Sequence, residues 1–99
     1  MLLDINVLGE YIVVSQKVKI VNPTGLQVRP AGNLCKEADR FKCKIIIDYQ
    51  GNEANAKSVL SVLGACIKFE DEVTLICDGE GEEEALAHLT AYIEAGLED

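Results

Sequence analysis

The chain has 99 residues, of which 48% are apolar and 26% are charged, so it is long enough for one domain with one core and too short for two. Its formal net charge is −8 and its pI is about 4.5. An acidic surface repels phosphate backbones and anionic lipid headgroups, which argues against nucleic acid or a membrane surface as a direct partner.

The first predicted elements are a strand, a turn and a helix. Val18, Ile20 and Asn22 alternate with lysines and Val21, which is typical of a half-buried strand. Asn22, Pro23, Thr24 and Gly25 then supply turn chemistry. The next segment predicts a helix with Pro30 in its first turn. Its apolar face consists of Ala31, Leu34, Cys35, Ala38 and Phe41.

The middle of the chain predicts a hairpin and a short helix. Alternation over 43–50 predicts a strand with Cys43, Ile45, Ile47 and Tyr49 toward the core. Gly51-Asn52 is a two-residue turn signal, followed by a short strand over 53–55. Ser58 is a good N-cap for a helix over 59–65.

The last elements are a strand at 73–77 and a helix over 82–95, which Gly96 caps. Three glutamates in the first turn of this helix complement its dipole. The order is therefore β-α-β-β-α-β-α. The apolar faces predict an α+β fold with the helices on one side of a mostly antiparallel sheet.

The four cysteines, Cys35, Cys43, Cys66 and Cys77, include no CxxC pair, so no metal site or redox motif is predicted. The N-terminus lacks the basic region and cleavage site of a secretory signal, and no apolar run is long enough to span a bilayer. We therefore expect reduced core cysteines in a cytoplasmic protein with no cofactor.

Two segments carry a family resemblance. Residues 24–31 read Thr-Gly-Leu-Gln-Val-Arg-Pro-Ala, and residues 55–60 read Asn-Ala-Lys-Ser-Val-Leu. They resemble the active-site stretch T-G-[LI]-H-x-R-P-A and the regulatory-serine region N-[LA]-K-S-[IV]-[ML] of HPr, the phosphocarrier family of the bacterial sugar phosphotransferase system. The resemblance implies an open-faced β-sandwich over 14–99, with a four-stranded antiparallel sheet in the order 1-4-2-3 and three helices on one face.

The main departure from the family is Gln27, which occupies the position of the phosphorylated histidine. A neutral imidazole nitrogen offers a lone pair that accepts and releases a phosphoryl group. The lone pair of an amide nitrogen is delocalised into its carbonyl, so Gln27 fills the shape of the histidine without its chemistry. No residue is therefore predicted to be catalytic, and the chain is not expected to be an enzyme.

Glutamine for histidine with the serine retained resembles the catabolite-repression HPr-like proteins of Gram-positive bacteria. That resemblance implies phosphorylation of Ser58 by an HPr kinase/phosphorylase-like kinase, followed by binding to a LacI-type catabolite-control repressor. Ser61 stands where glycine is common in the family, and 67–70 replaces a glycine-rich connection. The residues that the resemblance places in partner binding are Gln27, Arg29, Lys57, Val59, Leu60 and Leu63, whereas Val62 and Ile67 are expected in the core.

Two other functions remain open: a phosphocarrier of the sugar phosphotransferase system, against which Gln27 argues, and an interaction module that needs no phosphorylation. The single histidine, His88, lies mid-helix and is expected on the surface or in packing. Residues 1–13 form an N-terminal extension too apolar for a free tail, with Gly9-Glu10 as a turn. It is expected either to pair with the first strand as an added strand or to pair with another chain as a homodimer.

Overall fold

The computed structural model describes residues 6–8 and 11–97, and the side chains from residue 13 onward. These residues form five strands and three helices. The strands are β1 (Asn6–Leu8), β2 (Tyr11–Lys19), β3 (Lys44–Tyr49), β4 (Asn52–Asn55) and β5 (Glu72–Asp78), and the helices are α1 (Val28–Ala38), α2 (Val59–Gly64) and α3 (Glu82–Glu94).

The strands form one antiparallel sheet in the order β1-β2-β5-β3-β4. Without β1, the remaining four strands have the order 1-4-2-3 that the sequence predicted, and the predicted element order is confirmed. β5 lies at the centre because it pairs with β2 on one side and with β3 on the other.

The core lies between one face of this sheet and the helices. Strand alternation points Val14 and Val18 of β2, and Val73, Leu75 and Cys77 of β5, into that core. The predicted inward set of β3 is also confirmed. The helices supply the apolar residues that cover this face: Ala31, Leu34, Cys35 and Ala38 from α1, Val62 from α2, and Ala85, Leu86, Leu89 and Ile93 from α3.

Two local predictions were wrong. The first strand was predicted to extend to Asn22, but β2 ends at Lys19; Asn22 is buried and lies in the turn that the sequence predicted over 22–25. The hairpin turn consists of Gln50 and Gly51 rather than Gly51-Asn52, since Tyr49 pairs with Asn52. Gln50 and Gly51 have φ of 54° and 85°, the left-handed pair that a type I′ turn requires.

The cysteine prediction holds for three of the four residues. Cys35, Cys43 and Cys77 are buried, and burial raises the pKa of Cys77 to about 12. Such thiols stay protonated and unreactive at neutral pH. Cys66 is exposed, so the prediction was wrong there: it follows α2 at φ 55°, outside the apolar face of that helix.

The N-terminal strand β1 extends the sheet beyond β2. It pairs antiparallel with the first residues of β2, with Asn6 opposite Val13 and Leu8 opposite Tyr11. The predicted Gly9-Glu10 turn lies outside the described residues. Among the helices that the structure describes, none is long and apolar enough to cross a membrane.

Candidate functional site

The loop between β2 and α1 is held by a turn that needs glycine. The Gly25 amide donates to the Asn22 carbonyl at 3.0 Å, and the Asn22 side-chain amide donates to the Gly25 carbonyl. Gly25 has φ 65°, and a Cβ there would lie 2.8 Å from the Ile67 carbonyl oxygen. The Leu26 amide donates to that same oxygen at 3.0 Å. The loop is therefore fastened to the segment that follows α2.

This loop delivers Gln27 to the N-cap of α1. Gln27 is extended (φ −83°, ψ −173°), its side chain makes no cap hydrogen bond, and it is exposed. Val28 is 70% exposed and Arg29 is also exposed. Arg29 makes no ion pair with any carboxylate in the part of the chain whose side chains are described. The start of α1 thus presents an amide, an apolar side chain and a cation to solvent.

An open groove brings Gln27 and Arg29 together with residues from the end of α2 and beyond. Its walls include Leu63, Cys66 and Lys68. The structure therefore brings together three of the predicted partner-binding residues, Gln27, Arg29 and Leu63. Among the described residues, those that line this groove include two cations, Arg29 and Lys68, whereas the protein as a whole has a net charge of −8.

Ser58 lies at the opposite end of α2. It is the N-cap of that helix, as predicted, and its Oγ accepts a hydrogen bond from the Ser61 amide at 3.2 Å. Ser58 is half-buried and is not among the described residues that line the groove. Leu63 is five positions after Ser58, which corresponds to about 8 Å along the helix at 1.5 Å per residue. A phosphate on Ser58 would therefore lie near the groove but outside it.

The apolar residues of α2 that were predicted to bind a partner differ in their exposure to solvent. Leu60 is 83% exposed, whereas Val59 and Leu63 are half-buried and pack against the core. Val62 and Ile67 are buried in the core, as expected. Leu60 is consequently the side chain of α2 most available to a partner.

Lys57 differs from the other predicted partner-binding residues because its side chain is engaged inside the domain. Its Nζ donates to the Phe41 carbonyl oxygen, and its amide donates to Asn55 Oδ1 at 2.9 Å. The ammonium group is thus anchored toward the end of α1. It is not free to move toward Ser58 without breaking that hydrogen bond.

Sequence reasoning missed Cys66 and Lys68 as groove residues. The available signal was the departure of 67–70 from the glycine-rich connection of the family. Cys66 and Glu70 both have positive φ, at 55° and 74°. Both residues therefore adopt the left-handed backbone conformation that glycine favours, and both side chains are exposed.

His88 lies outside this region. Its Nε2 lies 2.8 Å from Glu37 Oε1, and its ring contacts Phe41 with 5.5 Å between centroids. It therefore links α3 to α1, in agreement with the predicted packing role. Within residues 13–97, no group of His, Cys, Asp and Glu side chains is arranged to hold a metal ion.

Comparisons with known proteins identify the family of the chain. The family model described as the PTS HPr component phosphorylation site matches residues 14–95. The HPr-like protein Crh of Bacillus subtilis (strain 168) is 42% identical over 81 residues, which cover 82% of this chain and 95% of that protein.

Two solved structures are similar to the chain. The crystal structure of a phosphocarrier protein HPr from Bacillus anthracis str. Ames has a TM-score of 0.78 and 36% identity, covering 81% of this chain and 95% of that one. The crystal structure of Bacillus subtilis Crh has a TM-score of 0.69 and 39% identity, covering 85% and 97%. That Crh is a dimer with a swapped domain.

Proposed function

This chain belongs to the HPr family of the bacterial sugar phosphotransferase system, and within that family we propose that it is a regulator in carbon catabolite repression. Its switch is phosphorylation of Ser58 by an HPr kinase/phosphorylase-like kinase. The modified form binds a LacI-type catabolite-control repressor. The chain is a substrate and a ligand in this scheme, not an enzyme.

The observation that carries the proposal is Gln27 at the exposed N-cap of α1. The surrounding loop retains the Thr-Gly turn, Arg29 and Pro30, so the position that presents a phosphoryl acceptor is intact. The nitrogen lone pair of a carboxamide is delocalised into its carbonyl, so the group is too weak a nucleophile to attack phosphorus at neutral pH. The protein is therefore expected to keep the docking surface of the family without carrying a phosphoryl group at residue 27.

Ser58 is the proposed switch because it is a half-buried residue whose hydroxyl lies at the start of a helix. Phosphorylation adds a charge of about −1.5 to −2 at pH 7. First-turn amides and the helix dipole favour negative charge at that end. The new charge lies beside the exposed Leu60, so phosphorylation changes the surface that a partner reads while leaving the core intact.

Recognition by the repressor is proposed to use two adjacent regions. One is the groove with Gln27, Arg29 and Leu63, and the other is the start of α2 with Ser58 and Leu60. Arg29 has no carboxylate partner among the described residues, so it is available to a partner's acidic group. A basic side chain of the repressor would bind the phosphate through charge-assisted hydrogen bonds.

The test treats the protein with HPr kinase/phosphorylase and ATP, records phosphate uptake by intact mass, and measures repressor binding by titration calorimetry. We expect one phosphate on the wild type and none on Ser58→Ala. Arg29→Ala should accept phosphate and bind the repressor at least ten-fold more weakly, since a buried charge-assisted contact is worth about 1.5–3 kcal/mol. Arg40→Ala is the matched control, because Arg40 is paired with Glu37 at the far end of α1.

The same experiment separates the alternatives. Absence of phosphate on the wild type, or repressor binding that is unaffected by phosphate, would contradict the regulatory proposal and favour an interaction module that needs no phosphorylation. A separate incubation with phosphoenolpyruvate and the phosphoenolpyruvate-dependent enzyme chain tests the other alternative, since uptake of a phosphoryl group there would favour a phosphocarrier.

We also propose that the chain forms a homodimer through its N-terminal extension. In the part of the chain that the structure describes, β1 pairs with the first three residues of the nine-residue β2. A short terminal strand that pairs with a sheet edge can pair equally well with the same edge of a second copy. The swapped dimer of Bacillus subtilis Crh supports this proposal.

A further inference from the structure

Ser61 bridges the end of β4 and the first turn of α2. Its Oγ accepts a hydrogen bond from the Asn55 amide at 2.8 Å. Its own amide donates to Ser58 Oγ at 3.2 Å. A single residue thus touches both the strand that leads into the Ser58 loop and the Ser58 hydroxyl itself.

The bond to Asn55 fills a position that the sheet leaves open. β4 is an edge strand, paired on one side with β3. The Asn55 carbonyl accepts from the Ser58 amide at 3.0 Å, and its amide donates to Ser61 Oγ. Both bonds connect the strand to the segment that carries Ser58. With glycine at position 61, the Asn55 amide would be left to solvent and one of the two connections would be lost.

We propose that Ser61 is a positioning residue for the phosphorylation of Ser58. The inference rests on the proposed function above. Ser61 fixes the Ser58 loop against β4 and holds the Ser58 oxygen through its amide, so the hydroxyl is presented in one orientation. The contact with β4 depends on the serine side chain, which the family commonly lacks at this position, whereas the bond to Ser58 Oγ comes from the backbone amide of residue 61.

The step that Ser61 assists is an ordinary phosphoryl transfer. Ser58 Oγ forms a bond to the γ-phosphorus of ATP, and the bond from that phosphorus to the bridging oxygen breaks, which releases ADP. The hydroxyl proton of Ser58 passes to a base of the kinase. A fixed nucleophile loses less entropy on reaching the transition state, so restraint by Ser61 acts mainly on kcat.

Ser61 also has a role once the phosphate is in place. Its Oγ accepts from Asn55, and no acceptor for its hydroxyl hydrogen is found among residues 13–97. In the capping-box arrangement the residue three positions after the N-cap reaches back to the N-cap residue. The Ser61 hydroxyl is therefore placed to donate to a phosphate oxygen on Ser58, which favours the dianion.

The test compares wild type with Ser61→Ala, Ser61→Gly and Ser61→Thr, using HPr kinase/phosphorylase and ATP. We expect kcat/KM for phosphate uptake to fall about five-fold in Ser61→Ala and Ser61→Gly, which is the loss of one hydrogen bond. The fall should lie in kcat. Ser61→Thr keeps the hydroxyl and should restore the rate. Ser15→Ala is the matched control, since Ser15 lies on β2, far along the chain from this loop.

A phosphorus NMR titration of the modified proteins supplies a second measurement. The second pKa of the phosphoserine, ordinarily about 6, should be lower in the wild type than in Ser61→Ala. Equal kcat and equal phosphoserine pKa in these two proteins would overturn the role of Ser61 and leave the proposed function standing. A wild type that accepts no phosphate would overturn both.

Discussion

Gln27 and Arg29 stand on the same exposed turn, but they differ in what they retain of the family chemistry. Arg29 keeps its charge and lines the groove. Gln27 keeps the volume and hydrogen-bonding capacity of a histidine without the nucleophilic nitrogen. The loop that leads into both residues is fixed by Gly25, because a Cβ at that position would lie 2.8 Å from backbone atoms of residues 67–68. The proposed loss of acceptor function therefore involves one side chain, which the first experiment restores.

The first prediction concerns that side chain. Gln27→His should accept a phosphoryl group from the phosphoenolpyruvate-dependent enzyme chain, whereas the wild type should accept none, because only the imidazole supplies a nucleophile. Intact mass spectrometry under neutral conditions detects the acid-labile product. Gln50→His, which places an imidazole in the exposed β3–β4 turn, should remain unmodified. A wild type that accepts a phosphoryl group from this enzyme chain would contradict the regulatory proposal.

Cys66 carries a second residue-scale prediction. It has φ 55° and is exposed at the end of α2, and a left-handed conformation costs a non-glycine residue about 1–2 kcal/mol. Part of the gain from glycine is offset by the entropy of the unfolded chain. We expect Cys66→Gly to raise the free energy of unfolding by about 0.5–1 kcal/mol, measured by urea denaturation.

The matched control for this prediction is Cys66→Ala, which removes the thiol and keeps the Cβ. It should leave the free energy of unfolding unchanged. If alanine stabilises the protein as much as glycine does, the backbone conformation at residue 66 is not the source of the gain.

At the scale of the elements, α1 and α3 are joined by a polar contact on their surface. Glu37 lies between His88 of α3 and Arg40 at the end of α1, at 2.8 Å and 3.0 Å. The hydrogen bond from His88 is the main cause that lowers the pKa of Glu37 below its ordinary 4.5, and Arg40 adds to the effect. The contact therefore favours the carboxylate form of Glu37.

The sign of the pH dependence follows from this lowered pKa. The stabilisation by Glu37 is complete above pH 4.5 and is lost as the pH falls through the lower pKa of the folded state. Glu37→Gln should therefore be less stable than the wild type at neutral pH, and the difference should shrink in acid. Urea denaturation over that range measures it.

The control for the pH experiment is Glu94→Gln, which removes an exposed carboxylate from the last turn of α3. Its effect on the free energy of unfolding should be small at neutral pH. A difference between wild type and Glu37→Gln that grows on acidification would contradict the assigned role of Glu37.

At the scale of the whole molecule, β1 makes the sheet five-stranded and occupies part of the outer edge of β2. If the extension exchanges between copies, the full chain should elute with about twice its mass of 10.8 kDa in light-scattering chromatography. Deletion of residues 1–10 should give a folded monomer. Leu60→Ser, on the exposed side of α2, should remain a dimer. A full chain that is monomeric at high concentration, or a dimer that survives the deletion, would contradict exchange of β1.

The sequence by itself determined the order of the elements and the chemistry of position 27. Apolar periodicity is a local property, so it located the inward face of β3 and the buried faces of α1 and α3. The nucleophilicity of a side chain depends on its functional group, so the consequence of Gln27 could be stated without coordinates.

The tertiary structure decided which distant residues meet. It placed Cys66, Lys68 and Arg29 in the lining of one groove, and it joined Ser61 to Asn55. It also showed that the hairpin turn consists of Gln50 and Gly51 and that Cys66 is exposed. These features depend on how separate elements pack and on backbone angles at single residues. The spacing of apolar residues predicts which face of one element is buried. It does not predict which other element packs there or the backbone angles of a single residue.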